Sequence, residues 1–143
     1  MISRKVYQIA ERTRKWAEQI NKQLEYMYDN DLCGMCAIAS AELFLRLQRQ
    51  GIDAVIVANN RHCFVLVDGY AIVDITATQF DIMDVVHIDH IGLNVKGSPD
   101  TTNNWWKAEH TFDNLDAFLQ WQYKTGWPAW QQANVDLFEA LNK

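Results

Sequence analysis

The stretch that decides the fold reads CAIASAELFLRLQRQ and covers residues 36–50. Its first three turns hold one charged pair only, Glu42 and Arg46, and apolar residues lie nearly all round them. A helix that is apolar on every side is normally buried in a core. Gly51 follows at a position where glycine commonly ends a helix. We therefore predict a buried central helix over residues 36–50, with Cys36 in its first turn.

Three strand-like runs follow this helix. Residues 53–58 are apolar and rich in β-branched side chains. The runs 62–67 and 70–76 flank Asp68-Gly69, a dipeptide that strongly indicates a β-hairpin. A weaker strand is predicted at residues 85–91.

Helical patterns frame these strands. Over residues 4–28, apolar side chains recur at spacings of three, four or seven, with charged residues between them. Two more helices are predicted at residues 114–123 and 128–141. The order α-α-β-β-β-β-α-α predicts an α+β fold in which helices pack on an antiparallel sheet. Without linkers or repeats, the 143 residues are expected to form a single domain, 1–143.

The composition excludes several classes of function. Thirteen lysines and arginines against 18 aspartates and glutamates give a formal net charge of −5 without a basic cluster, so no nucleic-acid partner is expected. No run approaches the roughly 18 apolar residues of a membrane-spanning helix, so no membrane partner is expected. Residues 1–8 lack the apolar stretch of a signal peptide. We therefore expect a cytoplasmic protein.

The candidate nucleophile is Cys36. Three cysteines are an odd number, which in a reducing compartment favours thiol chemistry or metal binding over a disulfide framework. At the start of a helix, the dipole and the free N–H groups favour a thiolate. A cysteine nucleophile needs a base, and the base needs an acceptor that orients it. His62 and Asp74, one on each predicted hairpin strand, supply these two residue types.

The register of the hairpin decides whether His62 can meet Asp74. With a two-residue loop at Asp68-Gly69, His62 pairs with Ile75, and the side chains of His62 and Asp74 then point to opposite faces of the sheet. With a three-residue loop at 67–69, His62 lies directly across from Asp74, and the glycine takes the left-handed position of a G1 bulge. A Cys–His–Asp site requires the three-residue loop, so we predict that register.

These residues resemble the transglutaminase-like superfamily. Its members place a nucleophilic cysteine at the start of a helix that ends in Gly-Ile-Pro-Ala-Arg, and here Gly51-Ile52-Asp53-Ala54 begins 15 residues after Cys36. Asp53 and Val55 replace the proline and the arginine of that pattern. The run His62-Cys63-Phe64-Val65 resembles the family's His-(aromatic)-Val strand, and Asp74-Ile75-Thr76 resembles its Asp-Pro-Thr.

The run Cys33-Gly34-Met35-Cys36 is similar to the nucleophile segment of papain-like proteases, which share a Cys-bearing helix packed on a sheet. The resemblance implies acyl transfer on a protein or peptide amide through a thioester, without a cofactor. Cys36 would be the nucleophile, His62 the general base and acid, and Asp74 the residue that orients His62. An oxyanion needs two donors. The N–H of Cys36 would be one, and the resemblance implies a side-chain amide six residues upstream, where Asn30 stands, as the other.

Other interpretations of the same cysteines remain open. Cys33-x-x-Cys36 at a helix start is also typical of a thioredoxin-type dithiol, and these two cysteines with His62 and Cys63 could form a zinc site. Neighbouring strand residues point to opposite faces, which disfavours zinc and predicts that Cys63 faces away from the Cys36 site. A binding module without catalysis is a further alternative.

Two further clusters carry weaker signals. His87 and Asp89 would share one face of the predicted strand 85–91, where we interpret them as part of an edge strand rather than as metal ligands. Trp105 and Trp106 follow a polar loop. We expect one of these two tryptophans to be exposed and to line a substrate groove.

Overall fold

The fold is α+β, and it is seen here in a computed structural model that describes residues 2–23, 32, 35–59, 62–80, 84–90 and 106–125. Within these ranges there are three α-helices and one five-stranded antiparallel sheet. The elements are α1 (Arg4–Gln23), α2 (Cys36–Arg49), β1 (Ala54–Ala58), β2 (Cys63–Val67), β3 (Ala71–Asp74), β4 (His87–His90), β5 (His110–Phe112) and α3 (Leu115–Thr125), with a 3₁₀ turn (Ala77–Phe80) after β3.

The sheet places β2 at its centre. The strand order is β4-β3-β2-β1-β5, and every neighbouring pair is antiparallel. All five residues of β2 and all four of β3 are buried. Both faces of these strands are therefore covered, which explains why they read as continuous apolar runs rather than as an alternation.

The main core lies between α2 and one face of the sheet. Ten residues of α2, including all of its first two turns, are buried, and the helix contacts α1, β1 and β2. The predicted buried central helix is therefore confirmed, ending one residue earlier, at Arg49. A second apolar cluster covers the opposite face of the sheet and consists of Val57, Phe64, Leu66, Ile72, Ala77 and Trp106.

Helix α1 packs on this core through one apolar stripe. The buried residues recur every three or four positions, as a helix with one inward face requires; they are Val6, Ile9, Ala10, Thr13, Arg14, Ala17, Ile20 and Asn21. The buried hydroxyl of Thr13 has a hydrogen-bond partner, because it donates to the carbonyl of Ile9 at 2.7 Å. No helix in the described ranges is long and apolar enough to cross a membrane.

Every helix and strand predicted within the described residues is present, with ends that differ by at most two residues. The strand β5 was not predicted, because it has only three residues and is mostly exposed, so no apolar pattern marks it. The predicted helix at 128–141 and residues 24–28 of the first predicted helix lie outside the described residues. The predicted edge strand at 85–91 is β4, which is an edge of the described sheet.

The hairpin loop contains residues 68–70 rather than the predicted 67–69. Val67 lies opposite Ala71, and the N–H of Tyr70 donates to the carbonyl of Val67 at 3.2 Å. Asp68 and Gly69 both have positive φ, 53° and 77°, as the two central residues of a type I′ turn require. Tyr70 is the extra, unpaired residue.

This register makes His62 and Asp74 diagonal neighbours rather than directly opposed residues. Val65 lies opposite Val73, so the position opposite Asp74 is Phe64, two residues from His62. A displacement of two residues preserves the face of a strand. The side chains therefore meet on one face as predicted, although the predicted pairing was wrong by two residues.

Candidate active site

Cys36 is the first residue of α2 and is only 2% exposed. The residue before the helix is Met35, which makes no side-chain cap hydrogen bond. Backbone N–H groups at the first turn of a helix have no partner within the helix, and the helix dipole adds positive potential there. The sulfur of Cys36 thus lies where a negative charge is stabilised.

The imidazole of His62 is bonded to Asp74 inside the protein. Nε2 of His62 lies 2.6 Å from Oδ2 of Asp74, and neither side chain is more than 1% exposed. The other ring nitrogen, Nδ1, is buried and has no hydrogen-bond partner in the described part of the chain. Cys36 lies close enough to this imidazole for each group to shift the pKa of the other. The structure thus brings the three predicted residues together.

The carboxylate of Asp74 is saturated with hydrogen bonds. Oδ1 accepts from the backbone N–H and the hydroxyl of Thr76, at 2.8 and 3.2 Å. Oδ2 accepts from His62 and from the indole N–H of Trp106, the latter at 2.9 Å. Burial raises the pKa of Asp74, but the charge and hydrogen bonds of His62, Thr76 and Trp106 outweigh burial and hold this pKa below its usual value. Asp74 is therefore a fixed anion.

Asn59 holds the backbone of His62. The side-chain oxygen of Asn59 accepts from the N–H of His62 at 3.0 Å, and the N–H of Asn59 donates to the carbonyl of His62 at 3.0 Å. The side-chain amide of Asn59 also donates to the carbonyl of Lys107 at 3.0 Å. One buried amide thus joins the start of β2 to the segment that carries Trp106.

The pKa values of Cys36 and His62 are shifted in opposite directions. A hydrogen bond with Cys63 is the largest influence on Cys36; burial opposes it, and the hydrogen bond and charge of His62 complete a fall in the pKa of Cys36 from 9.0 to about 5. Burial disfavours a charged His62, but the charge and hydrogen bond of Asp74, together with Cys36, raise the pKa of His62 to about 10. At neutral pH the two groups form a thiolate–imidazolium pair.

Cys63 does not face away from the site, which corrects the prediction from strand alternation. Alternation does hold: Cys63 belongs to the cluster on the α2 side, together with Cys36, whereas His62 packs against Phe64 and Phe80 on the other side. However, His62 immediately precedes β2. The pKa of Cys36 is influenced both by His62 and by Cys63, although these two side chains lie on opposite faces of the sheet. The prediction had assumed that Cys36 shares a sheet face with His62.

Aromatic rings enclose the His62–Asp74 pair. The edge of Phe80 meets the His62 ring at a centroid distance of 4.8 Å, and Phe80 also contacts Trp106. The ring of His87 lies 4.7 Å from that of Trp106. Trp106 is only 9% exposed and its side chain covers Asp74, so the expectation that one of the two tryptophans is exposed stays a prediction for Trp105. Trp105 lies outside the described residues.

Arg14 connects α1 to the segment that follows Asp74. Its guanidinium donates to the carbonyl of Ile75 at 2.9 Å and to the hydroxyl of Thr78 at 2.7 Å. It also pairs with Glu18 at 3.0 Å, although Arg14 itself is only 3% exposed. Sequence analysis missed Arg14, Asn59 and Thr76. The only early signal for Arg14 was its place on the apolar stripe of α1.

Several predicted residues cannot be placed. Asn30, the predicted oxyanion donor, and Cys33 lie outside the described residues, so the dithiol interpretation and the second oxyanion donor stay predictions. Within the described ranges, no group of three or more His, Cys, Asp or Glu side chains could hold a metal ion.

Comparisons with protein-family models, with curated proteins and with solved structures found no match for this chain.

Proposed function

We propose that this protein is a cysteine enzyme with a papain-like/transglutaminase-like core, which transfers the acyl group of an amide substrate through a thioester on Cys36. One observation carries the proposal. A buried imidazole is bonded to Asp74 through Nε2 at 2.6 Å, and it lies close enough to a cysteine at a helix N-terminus for each group to shift the pKa of the other. A nucleophile, a base and an orienting acceptor in contact are the arrangement that nucleophilic catalysis needs.

Acylation follows from the charge state of the pair. The Cys36 thiolate attacks the amide carbonyl carbon, and the electron pair of the C=O bond moves to oxygen. The N–H groups at the start of α2, that of Cys36 first, are suited to stabilise this oxyanion. His62 then gives the Nδ1 proton to the departing nitrogen, the C–N bond breaks, and a thioester and a neutral amine or ammonia result.

Deacylation reverses the role of His62. The neutral imidazole takes a proton from water, and the resulting hydroxide equivalent attacks the thioester carbon. The C–S bond breaks, a carboxylic acid leaves, and the thiolate–imidazolium pair is restored. Asp74 keeps Nε2 protonated throughout, so Nδ1 is always the nitrogen that exchanges the proton. An amine in place of water would give transamidation by the same steps.

The substrate class follows from the nucleophile. A thiolate that is paired with an imidazolium suits an unactivated amide, because the leaving nitrogen must be protonated before it departs. Peptide bonds and glutamine side chains of proteins are the common amides of this kind. Water requires no binding pocket of its own, so hydrolysis is the reaction proposed.

The test asks for Cys36-dependent turnover. The protein is incubated with glutamine-containing and other peptides and with an activated ester, and product release and the intact mass of the protein are followed. We expect an acyl group on Cys36, a burst of one product per chain and a slower steady rate. Cys36→Ala should abolish both phases, and His62→Gln should abolish the steady rate. If neither amides nor the ester give turnover that depends on His62, the protein is a binding module instead.

A further inference from the structure

The thiol of Cys63 lies inside the site although the proposed reaction assigns it no step. Cys63 is the first residue of β2 and Cys36 the first residue of α2, and both belong to the same buried cluster. Both are free thiols, and each influences the pKa of the other, as two thiols close enough to share a hydrogen bond do. Cys63 is wholly buried, with 0% exposure, so this contact is shielded from water.

Ser40 fixes the position of Cys63 from the side of the helix. Its hydroxyl donates to the carbonyl of Cys63 at 3.2 Å and is itself buried. Ser40 lies one turn after Cys36 on α2. Its hydrogen bond to Cys63 therefore holds the start of β2 against the first turns of the helix. On the sheet, Cys63 is paired with Ala58 of β1. The backbone of Cys63 is therefore held in place beside the first turns of α2.

The direction of the hydrogen bond follows from the charges around it. Burial, and then the hydrogen bond and charge of Cys36, raise the pKa of Cys63 well above its usual value. Cys63 therefore keeps its proton at neutral pH while Cys36 loses its own. Only Cys63 can donate under these conditions, and only Cys36 carries the negative charge that makes sulfur a strong acceptor.

We propose that Cys63 is a positioning residue for the nucleophile: its S–H group donates to the Cys36 sulfur and holds that sulfur as a thiolate, alongside His62. This role deepens the proposed function, because it concerns the nucleophile of that same reaction. A thioester sulfur is neutral and accepts weakly, so the bond from Cys63 is strongest when Cys36 is free. It favours the thiolate before acylation and again as the leaving group of deacylation.

A hydrogen bond from Cys63 stabilises the Cys36 thiolate, but it also makes that thiolate less reactive. Nucleophilicity of a thiolate falls as the pKa of its thiol falls. Removing the donor should therefore leave less thiolate at acidic pH, and each remaining thiolate should react faster. This pair of opposite effects distinguishes a role in charge stabilisation from a role in packing, which would not produce a crossover with pH.

The experiment compares Cys63→Ala, which removes the donor, with Cys63→Ser, which keeps an O–H donor. The rate of carbamidomethylation of Cys36 by iodoacetamide is measured from pH 4 to pH 8.5, and the modified residue is identified by mass spectrometry. Cys63→Ala should raise the midpoint of the profile by about one pH unit, on the order expected for the loss of one hydrogen bond to a charged group. It should react more slowly than wild type at pH 4 and faster at pH 8.5. Cys63→Ser should stay near the wild-type midpoint.

Val65→Ala is the matched control, because Val65 is fully buried on the same strand and in the same cluster as Cys63. It should lower the free energy of unfolding without moving the midpoint. The proposal is overturned if Cys63→Ala leaves the midpoint unchanged, or if Cys63→Ser raises it as much as Cys63→Ala. Alkylation reports the thiolate without any substrate, so this result is independent of whether amide turnover is found.

Discussion

The indole N–H of Trp106 donates to Oδ2 of Asp74 at 2.9 Å, and this is the same oxygen that accepts from Nε2 of His62. The two donors come from segments 32 and 12 residues away from Asp74 along the chain. A carboxylate oxygen with two buried donors is held in one orientation and kept charged. Trp106 thus closes the site on the side of Asp74, and it offers a way to perturb the His62–Asp74 pair without removing either residue.

Trp106→Phe should lower the free energy of unfolding at pH 7 by about 1–3 kcal/mol, because a buried carboxylate oxygen loses one donor. Asp74 has a lowered pKa in the folded protein, so this stabilisation is present above the unfolded value of 3.8 and is lost as pH falls through the folded value. Urea unfolding at several pH values should therefore show a difference in the free energy of unfolding between Trp106→Phe and wild type that becomes smaller at acidic pH. For the control Phe118→Leu, a buried residue that lies among Phe112 and Trp121, the difference from wild type should not depend on pH.

Asp74→Asn should leave the fold intact and lower kcat/KM by roughly 10²–10⁴-fold, on the scale of the equivalent change in serine-protease triads. The amide cannot stabilise an imidazolium, and it no longer ensures that Nδ1 is the nitrogen that faces Cys36. Steady-state kinetics measure the loss, and circular dichroism checks the fold. Activity of Asp74→Asn within threefold of wild type would contradict the role given to Asp74.

Activity should be nearly constant between about pH 5 and about pH 10 and should fall on both sides. Below about 5, Cys36 takes up a proton and the nucleophile is lost. Above about 10, His62 loses the proton that the leaving nitrogen requires. These two limits belong to the coupled pair rather than to either residue alone. A pH profile of kcat/KM tests this expectation, and an acid limb near the ordinary thiol value of 9.0 would contradict the ion pair.

Iodoacetamide at pH 6 should modify Cys36 well before Cys63. Cys36 is a thiolate at this pH, whereas the raised pKa of Cys63 keeps that residue protonated. Peptide mapping after short exposures measures the order of labelling. Prior unfolding in urea provides the control, because both thiols should then react slowly and at similar rates. Equal labelling of the two cysteines in the folded protein would mean that Cys36 is a structural thiol.

Arg14→Ala should lower the free energy of unfolding by about 1–3 kcal/mol, because the buried carbonyl of Ile75 and the hydroxyl of Thr78 lose a charged donor. Activity should fall as well, since Ile75 directly follows Asp74. Arg12→Ala is the control: Arg12 is an exposed arginine of the same helix, and its loss should change stability by less than about 0.5 kcal/mol. Urea denaturation measures both variants, and equal effects would show that Arg14 does not hold this segment.

Short-range patterns along the chain were enough to predict several features of the fold. Apolar residues all round the first turns of α2 required burial of that helix, and Asp68-Gly69 between two apolar runs required a hairpin. The residue types at Cys36, His62 and Asp74 suggested a common site, and the need for one sheet face selected a three-residue loop.

Tertiary structure decided what depends on contacts between distant segments. Positive φ at both Asp68 and Gly69 moved the loop by one residue, a choice that the sequence left open because several turns accept Asp-Gly. Arg14 reaches Ile75 across 61 residues, and Trp106 reaches Asp74 across 32; no periodicity encodes such hydrogen bonds. Cys63 lies near Cys36 because α2 begins beside the start of β2, and only the packing of the helix on the sheet sets that position.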